Sequence, residues 1–298
     1  MADVLDFLVD VSGERLDKYL REQCPDLSRS QLQKLIGEGS VTVNRAGAKS
    51  GLLLNHGDKV SIIMPSPPAD TLKPAAIPLR ILYEDDDLLV VNKPAGLNVH
   101  PAPGHPEQTL VNAVLAHYPR LAEIGDAVRP GIVHRLDKDT SGVMMVAKNQ
   151  RAQSDLQQQF KEHRVKKDYL VLVKGKLAPE QGIINAAIGR DPGNRKKMAV
   201  VRGGREARTD YRVVKYLDNF TLLEVTLETG RTHQIRVHLR AIGYPVVGDV
   251  TYGVKSPHLS RQFLHAYRLG FRLPSTGENV EFTAELPEDL QRALEKIG

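Results

Sequence analysis

The sequence predicts an α+β protein in two parts, a small N-terminal domain and a larger strand-rich one. Three observations carry this expectation. First, a proline-dense stretch, Met64-Pro65-Ser66-Pro67-Pro68-Ala69-Asp70 followed by Pro74, interrupts the 298 residues. Proline fixes φ and offers no hydrogen-bond donor to a sheet, so such a stretch reads as a stiff linker. Second, apolar residues before it recur at helical spacing and then alternate. Third, apolar residues after it fall in short runs bounded by turn residues. They lack the strand–helix alternation of a doubly wound parallel sheet. The expected division is a domain over 1–64, a linker over 65–76 and a domain over 77–298.

In the small part, Ser12 stands where it could cap a helix carrying Leu16, Tyr19 and Leu20 at i, i+3, i+4. Ser28 and Gln31 have capping-box spacing, and Leu32, Leu35 and Ile36 repeat the apolar stripe. Gly37 is placed to end that second helix. Val41-Thr42-Val43 then alternates as a strand, Asn44-Arg45-Ala46-Gly47 is a turn, and Val60, Ile62 and Met64 alternate again. Arg29 and Lys34 place positive charge on the second helix, and Lys49 follows the turn.

In the large part, Ile81-Leu82-Tyr83 and Leu88-Leu89-Val90-Val91 flank Glu84-Asp85-Asp86-Asp87, a hairpin with an acidic turn. Val143 to Ala147 is an apolar strand, and Ala152, Leu156 and Phe160 fit a helix with a basic end. Tyr169 to Val173 is a strand stopped at Gly175, and Tyr211 to Val214 with Phe220 to Leu227 reads as an antiparallel pair. Ile235, Leu239 and Ile242 suit a short helix ended by Gly243 and Pro245.

Composition narrows the function. Hydrophobic residues at 41% and charged residues at 26% give enough material for a core, which excludes disorder as the state of most of the chain. A formal charge of +5 is compatible with nucleic acid without requiring it. The single cysteine, Cys24, allows neither an internal disulfide nor a CxxC metal site, and it fits a reducing, cytoplasmic setting. The acidic start, Met1 to Asp6, has neither the basic nor the apolar segment of a secretory signal. No apolar run approaches the roughly 18 residues that span a bilayer, so no membrane partner is expected.

Three stretches could carry chemistry. Gly131 to Gly142 packs His134, Arg135, Asp137, Lys138 and Asp139 into a loop before an apolar strand. A carboxylate set among cations, as Asp137 is between Arg135 and Lys138, suits nucleophilic or electrostatic work better than proton donation. The same loop also reads as an Asx-rich structural turn. Thr229 to His238 contains Arg231 and Arg236, and Arg236 with Arg240 shares a helix face at i, i+4. That face is either a solvated basic surface or a source of phosphate contacts and an ion pair with a buried carboxylate. Lys166-Lys167-Asp168-Tyr169 opens a strand, where Tyr169 is either an ordinary edge residue or a ring for stacking on an unpaired base. His134-Arg135-Leu136-Asp137 lacks the other protein-kinase motifs, the Glu84–Asp87 run lacks EF-hand spacing, and neither H-E-x-x-H nor a P-loop occurs.

Arg15-Leu16-Asp17-Lys18-Tyr19-Leu20, Ser28-Arg29-Ser30-Gln31, Gly39 to Asn44 and Gly57-Asp58 together resemble the S4 RNA-binding domain. Pro130 to Asp137 with Thr140-Ser141-Gly142, Glu228 to His238, Gly248-Asp249, Tyr252-Gly253, Val91 to Gly96 and Val99-His100-Pro101 resemble the RluA/RluD-type pseudouridine synthases. The resemblance implies a mostly antiparallel, bent-sheet catalytic domain with a central cleft, and no cofactor or metal. It implies RNA as partner, most closely large-subunit rRNA or its precursor particles, and a monomeric, cytoplasmic enzyme. Asp137 would be the catalytic carboxylate, attacking C1′ or deprotonating the sugar. Arg236 would pair with it, and Tyr169 would stack on the uracil and help remove the C5 proton. Arg135 would fill the stack vacated by the flipped nucleotide, and Arg231, Arg29 and Lys34 would contact RNA. The rival readings are a non-catalytic S4-type RNA-binding protein, which needs no Asp137–Tyr169–Arg236 set, and a glycosidase, which needs a second carboxylate.

Overall fold

The structure is a computed structural model, and it describes residues 4–24, 27, 29–63, 72–101, 107–124 and 129–297, the backbone alone at 29–31. Ser28, the Gln31 and Arg29 side chains and most of the proline-rich stretch, 64–71, lie outside the described residues. The chain divides into two compact units, Met1–Thr71 and Leu72–Gly298.

The first unit runs β1 (Val4–Leu8), α1 (Leu16–Gln23), α2 (Arg29–Gly37), β2 (Val41–Val43), β3 (Ala46–Gly47) and β4 (Lys59–Ile63). The strands form an antiparallel sheet in the order β1-β4-β2-β3. Its core joins Leu16 and Leu20 of α1, Leu32, Leu35 and Ile36 of α2, and Val41, Val60 and Ile62 of the sheet. These are the residues at helical and alternating spacing, because only those positions face the sheet. At the helix ends one expectation is corrected and one refined. Ser12 does not cap α1, whose capping position is Arg15 without a side-chain cap. The Ser12 hydroxyl instead accepts the His56 amide at 2.7 Å and ties two loops together. The second helix does end at Gly37, but the left-handed step falls on Gly39, at φ +77°, which lets Ser40 N–H return to Leu35 C=O at 2.9 Å.

The second unit begins with the hairpin β5 (Arg80–Glu84) and β6 (Leu88–Lys93). Asp85 closes its turn by accepting the Asp87 and Leu88 amides, both at 2.8 Å. Then come α3 (Leu110–His117), a 3₁₀ turn at Pro119–Glu123, β7 (Ser141–Ala147), α4 (Gln150–Lys161), β8 (Lys166–Lys174) and β9 (Gln181–Asn185). A small ribbon, β10 (Ile188–Arg190) with β11 (Met198–Val200), precedes β12 (Arg208–Leu217) and β13 (Phe220–Leu227). The chain ends through α5 (Gln234–Ala241), β14 (Leu264–Arg272), β15 (Asn279–Thr283) and α6 (Glu288–Ile297).

Among the described residues, nine strands form one sheet in the order β5-β6-β7-β14-β8-β13-β12-β9, with β15 on β14. Every pairing is antiparallel except β7 with β14. The strand registers shift in β5, β12 and β14, and such bulges bend a sheet locally. Apolar side chains from both faces of this sheet enter separate clusters. Leu89, Val91, Met144 and Val146 pack with α3, and Leu88, Val90, Val143 and Met145 pack with Leu156 of α4. A strand buried on both faces reads as a continuous apolar run, and all seven residues of β7 are buried.

Candidate active site

Residues 131–140 lie across β7 as a loop whose backbone is fixed from several sides. Gly131 has φ +69°, and a Cβ there would come within 2.3 Å of Ala147 O, so the loop can enter only with glycine. Its carbonyl accepts the Ala147 amide at 2.9 Å. His134 Nε2 accepts the Met145 amide at 3.0 Å while its ring stacks on Phe160. The buried Lys93 ammonium donates to Pro94 O, Leu97 O and Lys138 O at 2.8–3.0 Å. Arg261 donates to Asp139 O at 3.0 Å and is itself held by Asp289 at 2.7 Å. Thr140 N–H returns to Asp137 O at 3.1 Å and closes the turn. A backbone bond thus closes the turn in place of the expected side-chain-to-backbone bonds of an Asx turn, and the loop is the platform for Asp137.

Asp137 meets Arg236 as the motif resemblance implies, with Nη1 to Oδ2 at 2.9 Å. Arg236 stands on α5 but is buried, so the solvated-face reading of this helix is wrong for that residue. Its Nε and Nη2 make a two-pronged pair with the fully buried Asp249, at 2.7 and 2.8 Å. Asp249 in turn accepts the Thr251 and Tyr252 amides. Burial alone would raise the Asp249 pKa, but Arg236 and these amides outweigh it and hold it low. Burial likewise opposes the Arg236 charge, and Asp249 with Asp137 more than restores it. The planar fork leaves a single nitrogen for Asp137, which fixes that carboxylate's direction. Asp249 was missed as a site residue by reasoning from sequence, although its Gly248-Asp249 pair stands in the motif. Gly248 and Gly253 make the turn around it, since a Cβ at either would lie 2.0 Å from a backbone oxygen.

His233 was missed too. It begins α5 in a left-handed conformation, φ +57°, and its Nε2 lies 3.9 Å from Asp137 Oδ1. The Tyr252 hydroxyl accepts the Met198 amide at 2.7 Å and lies 2.8 Å from His233 Nδ1. Burial holds the His233 pKa below its usual range.

Asp137, His233 and Arg236 border a cavity of about 860 Å³, which also takes in Tyr169, Arg135, Arg231 and Lys167. Tyr169 is buried at the second register position of the β8–β13 ladder, opposite Val225. Burial, then the charges of Asp137 and Asp168, push its phenol well above the usual value, so the hydroxyl stays protonated. Arg135 is exposed at the cavity. Arg231 donates from Nε to Glu206 O at 2.9 Å. Of the helix residues in the first unit, Lys34 is exposed and pairs with Glu38 at 3.7 Å.

Buried histidines give the unit a pH signature. Burial, with a smaller contribution from Lys167, pushes the His134 pKa down to about 3, and burial also lowers His233, His238 and His265. An unfolded histidine takes a proton as pH falls through about 6.5, whereas these folded ones, His134 most of all, take it only at lower pH. Proton uptake then favours the unfolded chain, so stability is full above about pH 6.5 and is lost as pH falls below it. Between about pH 7 and pH 5 most carboxylates remain ionised, so the histidines dominate the window. The melting temperature should fall across that window, and His134→Gln should recover on the order of 1 kcal/mol of the loss at pH 5. A flat profile in the unaltered protein would show that these rings are not buried as bases.

No helix among the described residues is long and apolar enough to cross a membrane. Comparison with known proteins matches residues 87–241 to the RNA pseudouridylate synthase family and residues 14–60 to the S4 domain. An uncharacterized RNA pseudouridine synthase of Bacillus subtilis, YlyB, is 47% identical over 96% of this chain and 94% of its own length. The ribosomal large subunit pseudouridine synthase D of Nitrosomonas europaea is 45% identical, over 97% of this chain and 86% of its own. The structure of human RNA pseudouridylate synthase domain containing 1 is 32% identical and superposes with a TM-score of 0.59, covering 72% of this chain and 85% of the human one. With Asp137 and Arg236 standing at the cavity inside the matched segment, and Asp249 bracing Arg236 from just beyond it, the protein belongs to the RNA pseudouridine synthases of the RluA/RluD type and carries an N-terminal S4 domain.

Proposed function

We propose that this chain converts specific uridines of large-subunit ribosomal RNA to pseudouridine, with Asp137 as the carboxylate that acts at the ribose. The observation that carries the reading is the Asp137 side chain, partly exposed at the cavity and oriented by a buried arginine. The substrate class follows from relatives whose names specify the large ribosomal subunit. The reaction breaks the C1′–N1 bond, turns the uracil and joins C1′ to C5. The proton lost from C5 is balanced by one gained at N1, so no oxidant, reductant or water is consumed. The base must leave its stack to be reached. Asp137 then either attacks C1′ or takes a proton from the sugar, and both routes need the charged carboxylate.

The supporting residues take the following parts. Tyr169 offers its ring to the uracil, and its protonated phenol suits stacking; to accept the C5 proton it would first have to release its own. Arg135, exposed at the cavity, fills the gap in the stack left by the flipped nucleotide. Arg231 contacts the backbone, and Arg29 with Lys34 serves the S4 domain, where positive charge adds salt-dependent affinity. In this reading the enzyme acts as a monomer. The partner is rRNA or its precursor particle in the cytoplasm.

Mapping pseudouridine across ribosomal RNA, with and without the gene, tests the reading. Specific large-subunit positions should revert to uridine when the gene is lost, and purified protein should restore them on transcript. Loss of sites in transfer RNA alone would overturn the substrate assignment.

A further inference from the structure

Of the buried charges that the mechanism does not use among the described residues, Lys167 is the one that lines the cavity. Lys167 lies two residues before Tyr169 on β8, so both side chains leave the same face of the strand, about 7 Å apart. Both line the cavity. Lys167 is only 7% exposed, yet its ammonium makes one hydrogen bond, to Glu228 O at 3.0 Å. The remainder of its surroundings includes the Phe160 ring, whose centroid is 5.7 Å away. An ammonium has three N–H donors, so two are unmet among the described residues. Arg231, also at the cavity, has only its Nε engaged, on Glu206 O. Among the described residues neither cation forms an ion pair with a carboxylate. His163, a third cavity residue, donates from Nδ1 to the same Glu228 carbonyl at 2.8 Å.

We infer that Lys167 and Arg231, flanked by His163, form a subsite for one phosphodiester of the RNA beside the reacting uridine. Burying an ammonium is unfavourable unless an opposite charge or several hydrogen bonds compensate it. Burial pushes the Lys167 pKa down to about 8; the Glu228 carboxylate offsets only part of this, and Arg231, a second cation, adds to it. A group of this kind is matched by an anion that arrives with the substrate. A phosphodiester supplies one negative charge and two unbridged oxygens that accept from several donors at once. A uracil carbonyl is neutral and cannot offset two like charges. The placement one step along β8 from the stacking ring also puts the ammonium a nucleotide's reach from the base.

The inference rests on RNA entering this cavity as proposed above, so affinity is best read apart from turnover. In the Asp137→Asn protein, binding of a large-subunit rRNA transcript is measured over a range of KCl. Lys167→Met and Arg231→Gln should each flatten the slope of log K against log salt by about 0.7–0.9, the release expected for one phosphate. The advantage of the unaltered site should therefore shrink by roughly threefold between about 50 and 200 mM salt. Lys167→Arg, which keeps the charge, should keep most of the slope. Slopes unchanged in both neutral variants would overturn the subsite. So would a loss of single-turnover rate when Lys167→Met is made with Asp137 intact, its slope in the Asp137→Asn protein being unchanged, which would assign the ammonium to the nucleoside. If Lys167→Met does not fold, Arg231→Gln and Lys167→Arg decide the matter alone. Activity surviving in Asp137→Asn would defeat the catalytic reading and leave the salt slopes to judge the subsite.

Discussion

Asp137→Asn should fold, bind RNA and form no measurable pseudouridine. The amide keeps the shape of the carboxylate and one oxygen for Arg236 Nη1, which now sits 2.9 Å from Oδ2. Arg236 does not depend on Asp137 for its position, because Asp249 holds its other two nitrogens. Stability should therefore change by only about 1 kcal/mol, the difference between a charged and a neutral acceptor. Turnover should fall by at least about 10⁴-fold, since neither route at the ribose can proceed from a neutral amide. Asp139→Asn is the matched control. At that position the backbone carbonyl is held by Arg261 at 3.0 Å and the carboxylate helps offset the buried Lys93 charge, so the side-chain change should cost some stability and still leave measurable activity. Melting temperature, RNA affinity and single-turnover rate report the three quantities separately. An Asp137→Asn enzyme that forms pseudouridine at a substantial rate would remove Asp137 from its role.

How much of this was legible beforehand depended on whether a residue's partner was near it in sequence. Strands β7 and β13 and helices α1, α4 and α5 follow from apolar spacing alone, since each buries a face or a whole strand. Helix α3 was not read, because six of its eight residues are buried and an all-round apolar run has no stripe. Strand β14, central in the sheet, was missed for a different reason. It carries His265, buried and bonded to Ser141 and Ala284, and Arg268, bonded to Asp168, so its polarity resembles a loop. In the site, Asp137 and Arg236 are 99 positions apart, and the motif resemblance rather than periodicity joined them. Asp249 lies outside both helical and strand patterns. Only the fold shows that it is the carboxylate for which Arg236 has two nitrogens. Lys93 ends one strand and Lys167 opens another, and neither shows in sequence that it is buried, because carbonyls of Lys138 and Glu228, distant in the chain, meet them.

Arg236→Ala should be the most damaging single change, because it strands two carboxylates at once. Asp249 is fully buried and Asp137 keeps 18% of its side-chain exposure, so only Asp137 can recover water easily. Removing one partner of a buried pair costs about 3–5 kcal/mol. For a unit of this size that should lower the melting temperature by on the order of 10 °C. The loss should also depend on pH. With Arg236 gone, the burial that its charge now outweighs would raise the Asp249 pKa. A carboxylate whose folded pKa is raised prefers the protonated form in the fold, so the variant should regain stability as pH falls through that raised value. The unaltered protein should behave oppositely at Asp249. Its lowered pKa gives stability that is present above the unfolded value and lost in acid. Turnover should fall with stability, since nothing else on the Arg236 side fixes the direction of Asp137. Arg236→Lys keeps the charge but has one nitrogen where three are used, at 2.7–2.9 Å, so it can serve Asp249 or Asp137 but not both. Service to Asp249 should win, being the fully buried partner, and the variant should then recover stability more than rate. Arg236→Lys matching the unaltered enzyme in rate would show that Asp137 needs no fixed partner. Arg236→Ala unchanged in melting temperature would show that the Asp249 pair contributes nothing to the fold.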